Sequence, residues 1–227
     1  MGQTYENFVA IEGGDGSGKG TQAENLREYM SSALGRLVTK LSFPQYSMPS
    51  AYYAERYLNG EYGGINDVHP DLASLAYAID RYAAKPQIES ALTDPAHLVL
   101  TDRYVGSNVA HQGAKIDDTG ERHAFYERTL HTEYEILGIP RPSKNIVLLV
   151  PSSIAQENVD KKAARSYTTL KRDIHEADAD HLEKAKRNYQ ELCELYPEEF
   201  IPIDCMDGKR LRAIDDIQSE IRSLLDV

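Results

Sequence analysis

Residues 8–21 read Phe-Val-Ala-Ile-Glu-Gly-Gly-Asp-Gly-Ser-Gly-Lys-Gly-Thr, a short apolar run that leads directly into a series of glycines and one lysine. The glycines allow successive backbone N–H groups to turn inward around phosphate oxygens. A helix that begins near Lys19 adds the positive end of its dipole. The spacing Gly-x4-Gly-Lys therefore predicts a phosphate-binding loop between a strand, Phe8–Glu12, and a helix.

This loop supplies the predicted ATP site, with Lys19 as a cation for the β- and γ-phosphates. In the usual motif a Ser or Thr directly follows the lysine and helps to hold Mg²⁺, whereas here Gly20 intervenes before Thr21. We therefore place Thr21 beside the α-phosphate and leave the direct metal ligand open. A plain strand-to-helix connection is the structural alternative, and kinases, GTPases, motors and other ATPases all share such a loop. The residues expected to bind ATP are Gly13, Gly14, Gly16, Ser17, Gly18, Lys19, Gly20 and Thr21.

Short apolar runs alternate with longer helical patterns along the chain, which is typical of a parallel sheet wrapped by helices. Helical periodicity is clear over 23–33 and 182–192, and residues 210–225 are expected to form a closing helix. The sequence predicts one α/β domain over residues 1–227, a P-loop NTPase-type five-stranded parallel sheet flanked by helices, with a small mobile lid. The expected strands are Phe8–Glu12, Leu37–Ser42, Leu98–Thr101, Ile146–Val150 and Phe200–Ile203.

The net charge of -11 over 227 residues argues against a protein that coats nucleic acid, because phosphate backbones demand clustered Lys and Arg. The two cysteines have no metal-type pairing and indicate a reducing compartment. The N-terminal residues are polar, and the longest apolar run, Ile146–Val150, is too short to span a bilayer. We expect a cytoplasmic protein whose partners are small-molecule nucleotides, with no nucleic acid and no membrane.

A second phosphate site is predicted where Thr101-Asp102-Arg103-Tyr104 follows the third strand. Ligands of open parallel sheets collect at the carboxyl ends of the strands, so these residues should lie beside the glycine loop. Arg103 offers a planar fork for phosphate, and Asp102 could bind Mg²⁺ through water. A structural ion pair between the two residues is the alternative.

The run from Asp102 to Lys115, Asp-Arg-Tyr-Val-Gly-Ser-Asn-Val-Ala-His-Gln-Gly-Ala-Lys, closely resembles the signature of the thymidylate kinase family. Phe43-Pro44, the segment Leu75–Tyr82 and the segment Asp173–Glu176 are also similar to elements of that family, in the same order. The resemblance spans most of the chain. It implies a homodimeric enzyme that transfers the γ-phosphoryl group of ATP to dTMP.

Site roles follow from the resemblance position by position. Asp15 would hold the acceptor 3′-hydroxyl, Arg103 the acceptor phosphate, and Asp102 would organise Mg²⁺ or that phosphate. Tyr77 would stack on thymine, Arg81 would bind a thymine carbonyl and Asn108 the pyrimidine edge, while His111 stands where an aromatic residue often excludes a ribose 2′-hydroxyl. The acceptor-binding set is Asp15, Phe43, Tyr77, Arg81, Arg103, Ser107, Asn108, His111 and Gln112.

Each of these roles has a structural alternative. Tyr77 could be a core residue, Asn108 a helix cap and His111 an ordinary histidine. Tyr46 stands where family members often have an arginine near the acceptor phosphate. The acceptor base and the preference for deoxyribose therefore stay open at this point.

The resemblance also implies a catalytic arginine, either in the glycine loop or in a lid. The loop has Gly16 at that position, so the basic stretch within residues 158–172 is the expected lid and Arg165 the expected catalytic arginine; a solvated helix face is the alternative. The catalytic set is thus Lys19, Asp15, Asp102, Arg103 and Arg165. Two functions remain as alternatives, a kinase for another nucleoside monophosphate and a non-catalytic nucleotide-binding module. The chain lacks an obvious Asn-Lys-x-Asp guanine motif, which disfavours a GTPase.

Overall fold

The structure is a computed structural model that describes residues 3–160, 174–175 and 178–227. Its centre is a sheet of five parallel strands in the order β2-β3-β1-β4-β5. The predicted five-stranded parallel sheet is therefore confirmed. The strands are β1 Thr4–Gly13, β2 Val38–Ser42, β3 Leu98–Asp102, β4 Arg141–Leu149 and β5 Phe200–Asp204.

Helices cover both faces of this sheet. A 3₁₀ turn, Pro49–Ala51, precedes α2, and a π-helical turn, Thr132–Ile136, follows α5. The helices are α1 Lys19–Ser32, α2 Tyr52–Leu58, α3 Pro70–Leu92, α4 Val105–Gly113, α5 Thr119–His131, α6 Ser152–Asp160, α7 Ala179–Leu195 and α8 Ile214–Leu224.

The alternation of side chains along β1 divides the core into two layers. Phe8 and Ala10 face a cluster that includes residues of α3, α4, α5 and α7, whereas Val9 and Ile11 face α1 and α8. Every one of these four β1 side chains is buried. Strands covered on both faces need apolar residues at successive positions, which is why the short apolar runs were reliable signals for the sheet.

Two strands are longer than their apolar runs predicted. β1 begins at Thr4 rather than Phe8, and β4 begins at Arg141 rather than Ile146. The added halves pair with each other, with Thr4 opposite Arg141, and leave most of their side chains partly or fully exposed. Polar strand segments beyond the core carry no hydrophobic pattern, so the sequence did not indicate them.

The predicted closing helix over 210–225 was wrong in its first turn. A small antiparallel hairpin of β6, Met206–Asp207, and β7, Arg210–Leu211, takes these residues, and α8 starts at Ile214. Gly208 lies in the hairpin turn with φ 58°, a conformation that glycine adopts at no steric cost. The helix thus begins only after the chain has reversed.

Strand order brings the two predicted phosphate sites together. β1 and β3 are neighbours although β2 and three α-helices separate them in sequence, and Ile11 pairs with Asp102. Both strands end at the same edge of the sheet. The strand order reverses at β1, because β3 and β2 lie on one side of it and β4 and β5 lie on the other. The glycine loop after β1 and Arg103 after β3 therefore start as close neighbours.

Candidate functional site

The glycine loop joins β1 to α1 in a conformation that needs glycine at particular positions. Gly16 has φ +79°, and a Cβ built there would lie 1.9 Å from the Ala155 carbonyl oxygen. Asn158 Nδ2, also on α6, donates to the Gly16 carbonyl at 3.0 Å. Helix α6 therefore packs directly on the loop, and this packing excludes an arginine at position 16.

Lys19 begins α1 and turns its side chain back over the loop. Its Nζ donates to the Gly14 carbonyl at 3.1 Å and lies 3.7 Å from Asp15 Oδ1. Lys19 and Asp15 are both at least nine-tenths buried. The loop thus holds one cation and one carboxylate at the sheet edge, and in loops of this spacing the lysine is the group that reaches the β- and γ-phosphates.

Arg103 is held in an uncommon backbone conformation directly after β3. Its φ is +65°, which is rare for a residue with a side chain. The strained turn is fixed from β1, because Arg103 N–H donates to the Ile11 carbonyl at 2.9 Å and Tyr104 N–H donates to Glu12 Oε1 at 2.9 Å. Backbone strain that the surroundings over-determine is a common feature of functional sites.

The Arg103 side chain points toward the glycine loop. Its Nη2 forms a close ion pair with Asp15 Oδ1, and its Nη1 lies 3.3 Å from Ser107 Oγ and 3.5 Å from the Gly13 carbonyl oxygen. Burial disfavours the charged guanidinium, but the Asp15 carboxylate outweighs that effect and raises the pKa of Arg103 well above its ordinary value. The Arg103 guanidinium therefore fixes a permanent positive charge beside the glycine loop.

Glu12 is a buried carboxylate that the sequence reasoning missed. It accepts hydrogen bonds from the backbone of Tyr104, from Ser107 Oγ and, at 3.4 Å, from Tyr189 OH. Burial raises its pKa, and the bonds from Ser107 offset part of that rise. The charged residue at the end of a buried strand was the available signal, since Glu and Asp are rarely buried without partners. Glu12 ties β1, α4 and α7 together behind Arg103.

A cavity of about 180 Å³, counted as space for the centre of a water-sized sphere, opens beside Arg103. It lies at the carboxyl edge of β1 and β3 and reaches the buried face of α3. The nine residues predicted to bind the acceptor all line it, together with Lys19 and Asp102. The remaining lining residues are Ser42, Pro44, Tyr46, Leu58, Tyr104 and His175.

The far end of the cavity is organised by a buried ion pair. Arg81 donates from Nε and Nη2 to the two carboxylate oxygens of Glu133, at 2.5 Å each, and both side chains are at most 2% exposed. Burial alone would lower the pKa of Arg81, but the Glu133 carboxylate raises it above the ordinary value. The π-helical turn after α5 carries Glu133, and no sequence signal pointed to this partner.

Asn108 lies in the middle of α4, so the helix-cap alternative was wrong. Its Nδ2 donates to Ser74 Oγ at 2.9 Å and to Glu133 Oε1 at 2.8 Å. Its Oδ1 is buried and has no hydrogen-bond partner among the described residues. Tyr77 lines the same cavity and also packs against Tyr57 in a small core cluster. A role in base stacking and a role in core packing are therefore compatible.

The comparisons with known proteins agree with this geometry. A family model described as "Thymidylate kinase" matches residues 11–215. The chain belongs to the thymidylate kinase family. It is 34% identical to a thymidylate kinase of Mycobacterium tuberculosis over 188 residues, which is 82% of this chain and 85% of that protein. It is 30% identical to a thymidylate kinase of Leifsonia xyli over 220 residues, which is 96% of this chain and 94% of that protein.

The fold also matches a solved structure. The thymidylate kinase of Candida albicans superposes with a TM-score of 0.70 at 20% identity, covering 100% of this chain and 92% of that chain. Membership of the thymidylate kinase family confirms the predicted activity, an ATP-dependent phosphotransferase that acts on dTMP. Neither a different acceptor nor a non-catalytic nucleotide-binding module is favoured.

Asp102 ends β3 beside the glycine loop. Its Oδ1 is buried without a hydrogen-bond partner in the described part of the chain, and its Oδ2 would be 3.0 Å from a Cβ at Gly20. Arg103 pairs with Asp15, so the alternative of an ion pair between the adjacent Asp102 and Arg103 is not what the side chains form. The carboxylate therefore faces the loop and the cavity.

The predicted lid falls largely outside the described residues. Residues 158–160 end α6, while 161–172, including Arg165, are not described. Asp173 and Glu176 of the similar family segment are also outside, and His175 is described. None of the helices in the described part of the chain is long and apolar enough to cross a membrane.

Proposed function

We propose that the glycine loop binds ATP and that the cavity binds dTMP, with the acceptor phosphate on Arg103. The observation that carries this proposal is the position of the Arg103 guanidinium, which contacts Asp15 and the Gly13 carbonyl while lining the acceptor cavity. A guanidinium binds phosphate in a planar, bidentate manner. Arg103 would exchange its contact with Asp15 for the phosphate and leave Asp15 for the 3′-hydroxyl.

In the reaction, a phosphate oxygen of dTMP attacks the γ-phosphorus of ATP. The bond between that phosphorus and the β–γ bridging oxygen breaks, ADP leaves and dTDP forms. Such transfer needs mainly alignment of the two oxygens and neutralisation of the charge on the transferred group. Lys19 on the donor side and Arg103 on the acceptor side would supply fixed positive charge at both ends.

Mg²⁺ fits the same edge of the sheet. Asp102 Oδ1, which has no hydrogen-bond partner among the described residues, provides a hard oxygen beside the loop. A bound magnesium ion supplies charge neutralisation for the phosphates of ATP. Asp102 would orient its hydration shell.

The base end of the cavity supports a pyrimidine with an N3–H donor. Arg81 is held by Glu133, lines the cavity and would donate an N–H to a carbonyl oxygen, whereas Asn108 Oδ1 is an acceptor with no partner among the described residues. Thymine offers carbonyl oxygens on both sides of N3–H, which matches a donor beside an acceptor. Tyr77 would stack on the ring.

The proposed phosphoryl transfer also requires a catalytic arginine, which the glycine loop does not supply. Because Gly16 cannot carry a side chain against Ala155, we retain Arg165 as the proposed residue in the 158–172 lid. Replacement of Arg165 by Ala is expected to lower kcat by a factor on the order of 10³, with little change in ATP affinity. Single-turnover kinetics with separate nucleotide binding measurements test this. Wild-type turnover in the variant would reject the role of Arg165.

A homodimer is supported by an apolar stripe on α3. Leu72, Leu75, Ile79 and Tyr82 repeat at intervals of three, four and three residues and are 44% to 64% exposed. This spacing is that of a helix–helix seam. The opposite face of the same helix carries Tyr77 and Arg81. A second copy of the chain packed on the stripe would therefore stabilise the helix that lines the acceptor cavity.

Coupled measurement of ADP release tests the function directly. With dTMP, dUMP, UMP, CMP and AMP offered separately, we expect the highest kcat/KM for dTMP and one dTDP formed for each ADP. Release of ADP that does not depend on any monophosphate would contradict the proposal.

A further inference from the structure

Three buried histidines converge beside the acceptor cavity from separate parts of the chain. His111 is on α4, His175 belongs to the described pair 174–175, and His181 lies in the first turn of α7. One ligand-capable atom of each lies within 4.8 Å of the other two, and each residue is at most 5% exposed. His111 and His175 line the cavity, whereas His181 does not line it and packs against both of their rings. His111 is also one of the residues predicted to bind the acceptor, whereas His175 and His181 have no role in the phosphoryl transfer described above.

The cluster leaves polar atoms unsatisfied in the protein interior. His111 Nδ1 and His181 Nε2 are buried without a hydrogen-bond partner among the described residues. Such atoms are unfavourable unless a ligand or an ion completes them. His175 Nε2 shares a hydrogen bond with Tyr57 OH at 3.1 Å, the kind of outer contact that orients a ligating imidazole. Two unsatisfied nitrogens beside an oriented third ring point to a missing partner.

We propose that His111, His175 and His181 bind one divalent transition-metal ion of the zinc class. Imidazole nitrogens are preferred ligands of such ions, and three histidines with one open position form a known coordination set. Metal–nitrogen bonds of about 2.0–2.1 Å would place the three nitrogens roughly 3.3 Å apart in a tetrahedral site. From the 4.8 Å limit, the three nitrogens would have to approach one another by up to about 1.5 Å.

The protonation of the groups around the site favours metal binding. Burial lowers the pKa of His181 to about 4, and burial also holds the pKa values of His111 and His175 well below the ordinary value. Burial thus favours the uncharged imidazole, the form that binds a metal ion.

Occupancy of this site would be coupled to Arg103. Arg103 Nη1 lies 3.2 Å from His111 Nε2, and because a guanidinium only donates, that nitrogen now accepts and Nδ1 carries the proton. Coordination through Nδ1 moves the proton to Nε2 and ends the hydrogen bond with Arg103. The metal site and the proposed phosphate site therefore share one side chain.

Titration of the full-length chain with Co²⁺ in the absence of nucleotide tests the proposal. We expect one Co²⁺ per chain, visible absorption bands of a four-coordinate ion, and displacement by Zn²⁺. His181→Phe fills the same space without a ligand nitrogen and should weaken binding by more than about 100-fold, because even outer-shell changes cost 10–100-fold. His131→Phe, at an exposed position on α5, is the matched control and should bind as wild type does.

Measurement of kinase activity in the His181 variant tests the metal site independently of the proposed kinase function. His181 does not line the cavity, so His181→Phe should retain wild-type turnover of dTMP when no transition metal is added. Should His181→Phe fail to fold, His181→Asn provides the same test with a smaller polar side chain. Absence of stoichiometric Co²⁺ binding to the wild type, or equal binding by the His181 variants, would overturn the metal site and leave the kinase assignment untouched.

Discussion

At the scale of single residues, Arg103 links the two halves of the proposed site. Its backbone is fixed by contacts from Ile11, and its side chain reaches both Asp15 and the acceptor cavity. Lysine at this position would keep the charge but lose the planar fork that binds phosphate through two parallel hydrogen bonds.

We therefore expect Arg103→Lys to lower kcat/KM for dTMP by roughly 100-fold, comparable to the loss of one preorganised donor in other active sites. ATP affinity should change little. Steady-state kinetics with dTMP as the varied substrate measure this effect. Arg128→Lys, in an exposed pair with Asp71, is the control and should match the wild type. A purely structural Arg103 would instead reduce thermal stability without changing the KM for dTMP.

Two substitutions of Tyr77 distinguish a role in base stacking from a role in core packing. Tyr77→Phe keeps the ring and should leave the KM for dTMP nearly unchanged, whereas Tyr77→Ala should raise it by roughly 5- to 150-fold, equivalent to about 1–3 kcal/mol of stacking. Equilibrium dTMP binding and thermal melting are measured on both variants. If Tyr77→Ala melts at a lower temperature but binds dTMP normally, Tyr77 is a core residue alone.

At the scale of secondary-structure elements, the Arg81–Glu133 pair joins α3 to the π-helical turn and, through Asn108, to α4. Removing one partner of a fully buried pair leaves an uncompensated charge. Glu133→Gln is therefore expected to lower the free energy of unfolding by about 3–5 kcal/mol.

Urea denaturation measures this loss, with Glu127→Gln on an exposed position of α5 as the control. Unfolding free energies of the two variants that agree within about 0.5 kcal/mol would show that the pair does not stabilise these elements.

The elements differ in how far the sequence could predict them. The five parallel strands and the glycine loop were found because buried strands are continuously apolar and the loop has a fixed spacing. The polar halves of β1 and β4 were not, since they depend on pairing between residues distant in sequence. The hairpin at 206–211 and the turn that carries Glu133 are local, but they are too short to carry a hydrophobic pattern. The same limit applies to the site: Arg103 followed from its motif, whereas Glu12 and the histidine cluster required the assembled fold.

At the scale of the whole molecule, the stripe on α3 predicts the oligomeric state. Exposed apolar side chains in one row are unusual on a monomer and indicate a contact surface. Ile79→Glu places a charge at the centre of the stripe and should convert a dimer to a monomer in sedimentation-velocity experiments. Leu211→Glu, at an exposed position of β7, should remain dimeric. A wild-type chain that sediments as a monomer would contradict the dimer.

Phosphoryl transfer at the proposed site requires two phosphate groups to meet between the glycine loop and the end of β3. A crystal structure of the chain with dTMP, Mg²⁺ and a non-hydrolysable ATP analogue measures this arrangement directly. We predict a dTMP phosphate oxygen on Arg103 at about 3–3.5 Å from the γ-phosphorus, the separation of a near-attack geometry. A dTMP bound elsewhere, or an Arg103 side chain turned away from both nucleotides, would contradict it.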